Sequence, residues 1–239
     1  MKTVIYIVDN MKNLLCIFIF ILIGCTGKHP DKINSVSIKK IVNNSNKDSV
    51  IIDSVIVREF SYKNLSTSFD IKVKFRRILI KDVIHDSSIV NVTIIDKFNQ
   101  KQLDTINFHS TYFFESVFNS NENVRSYSTK KNIYKDVHDN DYGDIIIADF
   151  NFDSKDDIAI KSNSGGNGGP DYNFYLQGLN KHFYLDGFLT DSMGYFPDEI
   201  NEKNKTLVTL AHANVMEQCK TTYKLTNRWK KIKQEFIGY

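Results

Sequence analysis

Residues 149 to 157 read DFNFDSKDD and place four aspartates within nine residues. Alternate positions of a tight turn point their oxygen atoms at one centre, and carboxylate, amide and carbonyl oxygens are the ligands that Ca²⁺ selects. Positions 1, 3, 5, 7 and 9 of this stretch carry such oxygens, with position 7 contributing its backbone carbonyl: Asp149, Asn151, Asp153, Lys155 and Asp157. The spacing therefore predicts a calcium site formed by these residues.

The flanking residues indicate what kind of calcium loop this is. An EF-hand would carry Glu at position 12, where this chain has Ile160, and the flanks DIIIA and DIAIK are strand-like. We therefore predict a strand, loop, strand hairpin, with Phe150 and Phe152 anchoring the loop to a core and Asp156 facing solvent. Ser154 stands where such loops usually have glycine, which predicts a strained turn or weaker binding. A solvated turn without metal is the alternative, since Asp and Asn favour turns.

A second loop follows at SGGNGG, residues 164 to 169. A phosphate cradle would lead into a helix N-terminus, but Pro170 and the alternating YNFYL begin a strand. Loops on a rigid scaffold are where binding sites concentrate. We predict a partner-binding loop, with a plain connection between two strands as the alternative; its residues are Ser164, Gly165, Gly166, Asn167, Gly168, Gly169 and Tyr172.

The sequence contains none of the common enzyme signatures. Its six histidines form no HExxH pattern, and no GxSxG motif is present. Cys219 shares a predicted strand face with Thr221 and Tyr223, which favours a buried, unreactive thiol. Two of the loop carboxylates would suit glycoside cleavage only if they held no calcium. We therefore predict that the protein is not an enzyme.

The N-terminus carries the features of a bacterial lipoprotein. An apolar run over residues 14 to 23 is too short to span a bilayer, which takes about 20 residues, and it ends in the lipobox Leu-Ile-Gly-Cys. We predict a signal peptide over residues 1–24, lipidation of Cys25, a polar tether over residues 25–48 and one domain over residues 49–239. The mature protein would be anchored to a bacterial membrane, on the periplasmic side or at the cell surface.

The charge of the chain bears on its partners. The formal net charge is +3. A nucleic-acid-binding surface needs a clustered basic excess. The near-balance of charge therefore argues against a nucleic-acid partner.

Alternating apolar and polar residues dominate the rest of the chain. FDIKVKF, residues 69 to 75, alternates at strict period two. Strand, turn, strand patterns recur over residues 88 to 109 and again over residues 206 to 237. The sequence predicts an all-β, antiparallel fold, β-propeller-like or, as the alternative, a β-sandwich.

Residues 145 to 176, IIIADFNFDSKDDIAIKSNSGGNGGPDYNFYL, resemble the core motif of a family of bacterial periplasmic lipoproteins. That family is related to the immunity proteins that inhibit lysozyme-like effectors of a type IV secretion system, themselves akin to integrin-type calcium repeats. The resemblance extends to the lipobox and to the pattern over residues 199 to 232, and so covers mainly the C-terminal half.

The resemblance implies a function. It implies calcium at Asp149, Asn151, Asp153 and Asp157, a propeller-like fold, and a loop near Gly165 to Tyr172 that plugs the glycan cleft of a peptidoglycan hydrolase. In that reading, the Ser164 and Tyr172 hydroxyls bond a catalytic carboxyl. We therefore expect a calcium-stabilised lipoprotein that binds a protein partner. A glycan-binding or adhesive envelope module is the alternative.

Overall fold

The computed structural model describes residues 40–41, 51–80, 87–110 and 123–238. The predicted signal peptide and Cys25 lie outside these ranges. Within the range predicted as a tether, Lys40 and Ile41 form a short strand, β1, that pairs with Ile51 and Ile52. In the described ranges, no helix is both long and apolar enough to cross a membrane.

The first sheet contains five antiparallel strands in chain order. They are β1 (Lys40–Ile41), β2 (Ile51–Tyr62), β3 (Phe69–Ile80), β4 (Ser87–Asp96) and β5 (Gln102–Ser110). The alternation of β3 confirms its predicted pattern, because Phe69 and Ile71 are buried whereas Lys72 and Lys74 are exposed. One face of this sheet is therefore apolar and the other meets solvent.

The second sheet has the order β10-β9-β8-β7-β6. Its strands are β6 (Val124–Ser126), β7 (Ile145–Ala148), β8 (Asp157–Asn163), β9 (Asp171–Gln177) and β10 (Phe183–Leu185). β6 pairs with β7 in parallel, and the other pairs are antiparallel. All four residues of β7 are buried, so this sheet is covered on both faces.

The third sheet is a meander with the order β11-β12-β13-β14. Its strands are β11 (Glu199–Asn201), β12 (Thr206–His212), β13 (Glu217–Leu225) and β14 (Trp229–Gly238), which confirms the predicted C-terminal strands. Helical structure in the described ranges is limited to short turns: two 3₁₀ turns at Gly166–Gly168 and Leu179–Lys181, and a π turn at Phe188–Met193.

Two apolar cores hold the sheets together. The first joins the first sheet to one face of the second through residues such as Phe75, Val92 and Ile147. The second core joins the other face to the third sheet, as with Ile146 and Leu207. The all-β, mainly antiparallel prediction is confirmed, and the stacked sheets are compatible with the sandwich alternative. They place the second sheet between the other two.

Cys219 differs from its predicted environment. It is half-buried, and its Sγ atom accepts a hydrogen bond from Gln234 Nε2 at 3.1 Å. The third sheet extends past the core at this end, so that the thiol is only partly covered.

Because the second sheet is buried on both faces, either face should be equally sensitive to truncation. We expect Ile146→Ala and Ile147→Ala each to lower the free energy of unfolding by about 2–5 kcal/mol, measured by urea denaturation. Lys72→Ala, on the solvent face of β3, should stay within about 0.5 kcal/mol of the wild type. A loss below about 1 kcal/mol for one of the two isoleucines would show that its core is not formed.

Candidate functional site

The loop predicted to bind calcium joins β7 to β8. Phe150 is fully buried and packs edge to face on Phe174, with ring centroids 5.1 Å apart. Phe152 is also buried, 6.0 Å from the ring of Trp229. As predicted, these two aromatic side chains anchor the loop to the second core.

The acidic side chains of this loop accept hydrogen bonds from its own backbone. The two carboxylate oxygens of Asp149 accept from the amides of Asp153 at 3.0 Å and Ser154 at 2.7 Å. Those of the buried Asp157 accept from the amides of Phe150 at 2.9 Å and Gln177 at 2.8 Å. The turn is thus closed by the side chains that the sequence singled out. Each oxygen keeps a further lone pair for a cation.

The same carboxylates raise one another's pKa. Burial raises the pKa of Asp157 to about 8, backbone hydrogen bonds oppose the rise, and the charges of Asp149 and Asp153 add to it. Burial likewise raises the pKa of Asp149, with a further contribution from Asp153. Ionisation of these carboxylates is therefore disfavoured in the fold, and a cation placed there would favour their charged forms.

The loop supplies the oxygen types that suit calcium without forming a closed metal shell. Across the described ranges, no three or more carboxylate, imidazole or thiol groups converge closely enough to hold a metal ion. The Lys155 ammonium group lies 2.9 Å from one oxygen of Asp153 and partly neutralises it. Ser154, where similar loops have glycine, has a φ of 67° in the left-handed region. Calcium binding stays a prediction that rests on donor chemistry.

Asp156 was expected to face solvent, but hydrogen bonds hold its carboxylate against other parts of the fold. Its Oδ2 accepts hydrogen bonds from Ser66 Oγ at 2.5 Å and from the Thr67 amide at 3.1 Å, and its Oδ1 accepts one from Ser128 Oγ. The carboxylate therefore links the loop to the β2–β3 turn and to the turn after β6. Local sequence gives no signal for contacts between such distant residues.

The glycine loop lies at the other end of β8. The seven residues of this strand separate the two loops by roughly 20 Å. A Cβ atom at Gly165 would lie 1.5 Å from the carbonyl oxygen of Gly169, and one at Gly168 would lie 2.4 Å from the Tyr195 hydroxyl oxygen. The close approach of these oxygen atoms explains why glycine stands at both positions. By contrast, Gly166 is exposed and a Cβ atom there would meet nothing within 4 Å.

Tyr172 lies in the interior of the domain next to this loop and is not on the surface of the loop. The residue is fully buried, and its hydroxyl donates to the carbonyl oxygen of Gly143 at 3.0 Å and accepts from the amide of Tyr142 at 3.2 Å. The expectation that its hydroxyl reaches a partner is therefore corrected. Ser164 is exposed, as a partner-binding residue should be.

The glycine loop forms a ridge between two clefts, to which Gly166 and Gly169 both contribute. The first cleft has a volume of about 690 Å³ and is lined largely by charged residues. The second, of about 490 Å³, lies toward the β12–β13 turn, where Val215 is 92% exposed. We call the segment Ser164–Gly169, which is exposed at Ser164 and Gly166, the ridge.

An ion-pair cluster that includes the buried Asp144 lies in the first cleft, and its lysine was not singled out from the sequence. Lys161 Nζ lies 2.8 Å from Asp144 Oδ1 and 2.9 Å from Asp141 Oδ2. Burial opposes the charge of Lys161, but the attraction of Asp144 and Asp141 raises its pKa. Burial raises the pKa of Asp144 to about 6 against the attraction of Lys161. The acidic run HDNDYGD was the available signal, but its lysine partner lies on β8.

Known proteins offer little for comparison. No protein-family model matches this chain, and no curated protein is significantly similar to it. The chain is similar to a solved structure described as "Structure of a Xanthomonas Type IV Secretion System related protein", with 17% identity, 88% of each chain covered and a TM-score of 0.37. At this level, the similarity carries no argument about function.

Asp144 should make stability depend on pH. Its pKa is about 6 in the fold and 3.8 ordinarily, so its ionisation in the fold is disfavoured. Relative to Asp144→Asn, the wild type should be most stable below pH 4 and lose about 3 kcal/mol as the pH rises through 6. Urea denaturation from pH 4 to 7.5 measures this difference. Parallel curves for the two proteins would contradict the assignment.

Proposed function

We propose that this protein is a calcium-binding lipoprotein that binds a protein partner through the ridge. The observation that carries the proposal is the exposure of Ser164 and Gly166 on a loop whose flanks are tightly held. A rigid, exposed loop loses little conformational entropy when it is bound. The partner would contact the ridge and the walls of the two clefts beside it.

Fixed supports surround the ridge. Gly168 packs on the Tyr195 hydroxyl, and the buried Tyr172 bonds the backbone at Tyr142 and Gly143. The Asn140 side-chain amide lies 3.5 Å from the carbonyl oxygen of Gly168. These contacts hold the ridge in place before any partner arrives.

Calcium would act at a distance from the ridge in this proposal. Asp149, Asn151, Asp153 and Asp157 would hold the ion with the Lys155 carbonyl, about 20 Å from the ridge along β8. The ion would offset the repulsion among the carboxylates and fix the start of β8. Because β8 leads directly into the ridge, the ion stabilises the strand that carries it.

In its most specific form, the proposal is that the protein inhibits a lysozyme-like peptidoglycan hydrolase. A ridge made mainly of glycine lets the backbone enter a narrow glycan cleft, and the exposed Ser164 hydroxyl is available to a catalytic carboxyl. Since Tyr172 is buried, the polar contact falls to Ser164 and to the backbone. Lipidation of Cys25 would keep the protein at the membrane on the side where such enzymes act.

Calcium should stabilise the delipidated domain. With a dissociation constant of roughly 0.1–1 mM, as in extracellular calcium modules, 10 mM Ca²⁺ adds about 1.4–2.7 kcal/mol, or about 3–10 °C in melting temperature. Asp153→Asn should abolish most of this gain. In chelator, it should melt within about 2 °C of the wild type, because its ion pair with Lys155 is partly exposed to solvent.

Glu202→Gln, in the exposed β11–β12 turn, is the matched control and should respond to Ca²⁺ like the wild type. Calorimetric titration gives a second readout. If the wild type showed neither heat nor a melting shift, the calcium part of the proposal would be overturned, whatever the ridge binds.

Blocking the ridge should remove partner binding. We expect the wild type to bind at least one member of a panel of lysozyme-like hydrolases and to slow its clearing of a peptidoglycan suspension. Gly166→Arg should weaken binding at least about tenfold, because its side chain would occupy the contact face. Biolayer interferometry with immobilised domain measures the affinity.

Two variants separate blocking from strain. Gly166 has a φ of 60°, so an arginine at this position would strain the backbone. Ser164→Arg adds the same side chain two residues earlier, where φ is not in the left-handed region. Glu202→Arg lies at the opposite end of β12 and should bind normally. Wild-type binding by both ridge variants would overturn the ridge assignment. Binding to a glycan array that Gly166→Arg removes, without binding to any hydrolase, would favour the alternative, a glycan-binding module.

A further inference from the structure

A third groove lies at the calcium-loop end of the domain, away from the ridge. Its volume is about 920 Å³, and its walls come from the calcium loop at Asn151, from β10 at Tyr184, and from the β13–β14 turn at Asn227. The partner-binding proposal does not use this groove, and the calcium proposal shares only Asn151 with it.

Aromatic rings form one side of the groove. Phe188 and Trp229 stack nearly parallel, with ring centroids 6.1 Å apart and planes 9° from each other. Tyr184 stands beside them on β10, and 51% of it is exposed. In the stacked pair, each ring covers one face of the other. The ring of Tyr184 is half exposed and carries a polar hydroxyl group.

Positive charge lines the groove on both sides of Trp229 in the chain. Arg228, Lys230 and Lys231 are all exposed and line the groove. Lys224 stands opposite Lys230 in the strand register and is exposed. Asp186 is the acidic residue in the lining, and its Oδ1 accepts a hydrogen bond from the Leu189 amide at 2.8 Å. The groove is therefore cationic along the β13–β14 turn, whereas Asp186, Asp157 and Asp153 act on Tyr184 in its other wall.

We propose that this groove binds an anionic polysaccharide. The basic residues of the β13–β14 turn attract a polymer with carboxylate groups, and Tyr184 packs against the apolar face of a sugar ring. An extended chain fits a concave groove, which a flat membrane surface does not enter. Single-stranded nucleic acid needs a series of open ring faces for its bases. Here the Phe188 and Trp229 rings stack on each other.

The groove contains a built-in probe, because Trp229 is the single tryptophan of the chain. Titration of the delipidated domain with hyaluronate, a soluble uronate polysaccharide, should change the Trp229 fluorescence with saturation. Neutral dextran should leave it unchanged. Tyr184→Ala should weaken hyaluronate binding at least about fivefold without altering the net charge. The double variant Lys230→Glu, Lys231→Glu should abolish binding.

Lys72→Glu is the matched control, since it reverses an exposed charge on the first sheet. It should bind hyaluronate like the wild type, and circular dichroism should show that every variant is folded. Three outcomes would each overturn the proposal: no fluorescence change with hyaluronate, equal binding by Tyr184→Ala, or equal or tighter binding of polyphosphate, an oligonucleotide or anionic vesicles. None of these readouts depends on the ridge or on a hydrolase.

Discussion

Burial of the second sheet on both faces is the constraint on which the rest of the structure depends. β7 has no solvent-facing side, because Ile145 and Ile147 belong to one core and Ile146 and Ala148 to the other. Such a sheet cannot shift its register without moving apolar side chains in both cores. Loops at the ends of its strands are therefore held in fixed positions, even where the loops themselves are polar.

β8 connects the two loops that the sequence singled out. It begins at Asp157, whose buried carboxylate bonds the amides of Phe150 and Gln177, and it leads at its other end into the ridge. The acidic loop and the ridge are thus joined by a strand whose first four residues are buried. Under the proposed function, a cation at one end would stabilise the other without touching it, because both depend on the same strand pairing.

Sequence patterns predicted the strands better than they predicted the surfaces. Period-two alternation located β3 because this strand has one wet face, and Phe150 and Phe152 were correctly expected to anchor the acidic loop. Tyr172 was assigned to the partner-binding loop through the family resemblance, whereas the alternation at the start of β9 places it on the same buried face as Phe174. The contact between Asp156 and Ser66 joins residues 90 positions apart, and no local pattern encodes it.

Net charge conceals how charge is distributed over this fold. A formal charge of +3 argues against a broadly basic protein, yet the β13–β14 turn brings Arg228, Lys230 and Lys231 to one groove. At the other end of β8, Lys161 is neutralised by Asp141 and Asp144. Within a Debye length of about 8 Å, a binding partner responds to local charge and not to the total. Strand pairing decides which charges become neighbours. The composition of the chain therefore excludes neither the basic residues of the third groove nor the ion-pair cluster around Lys161.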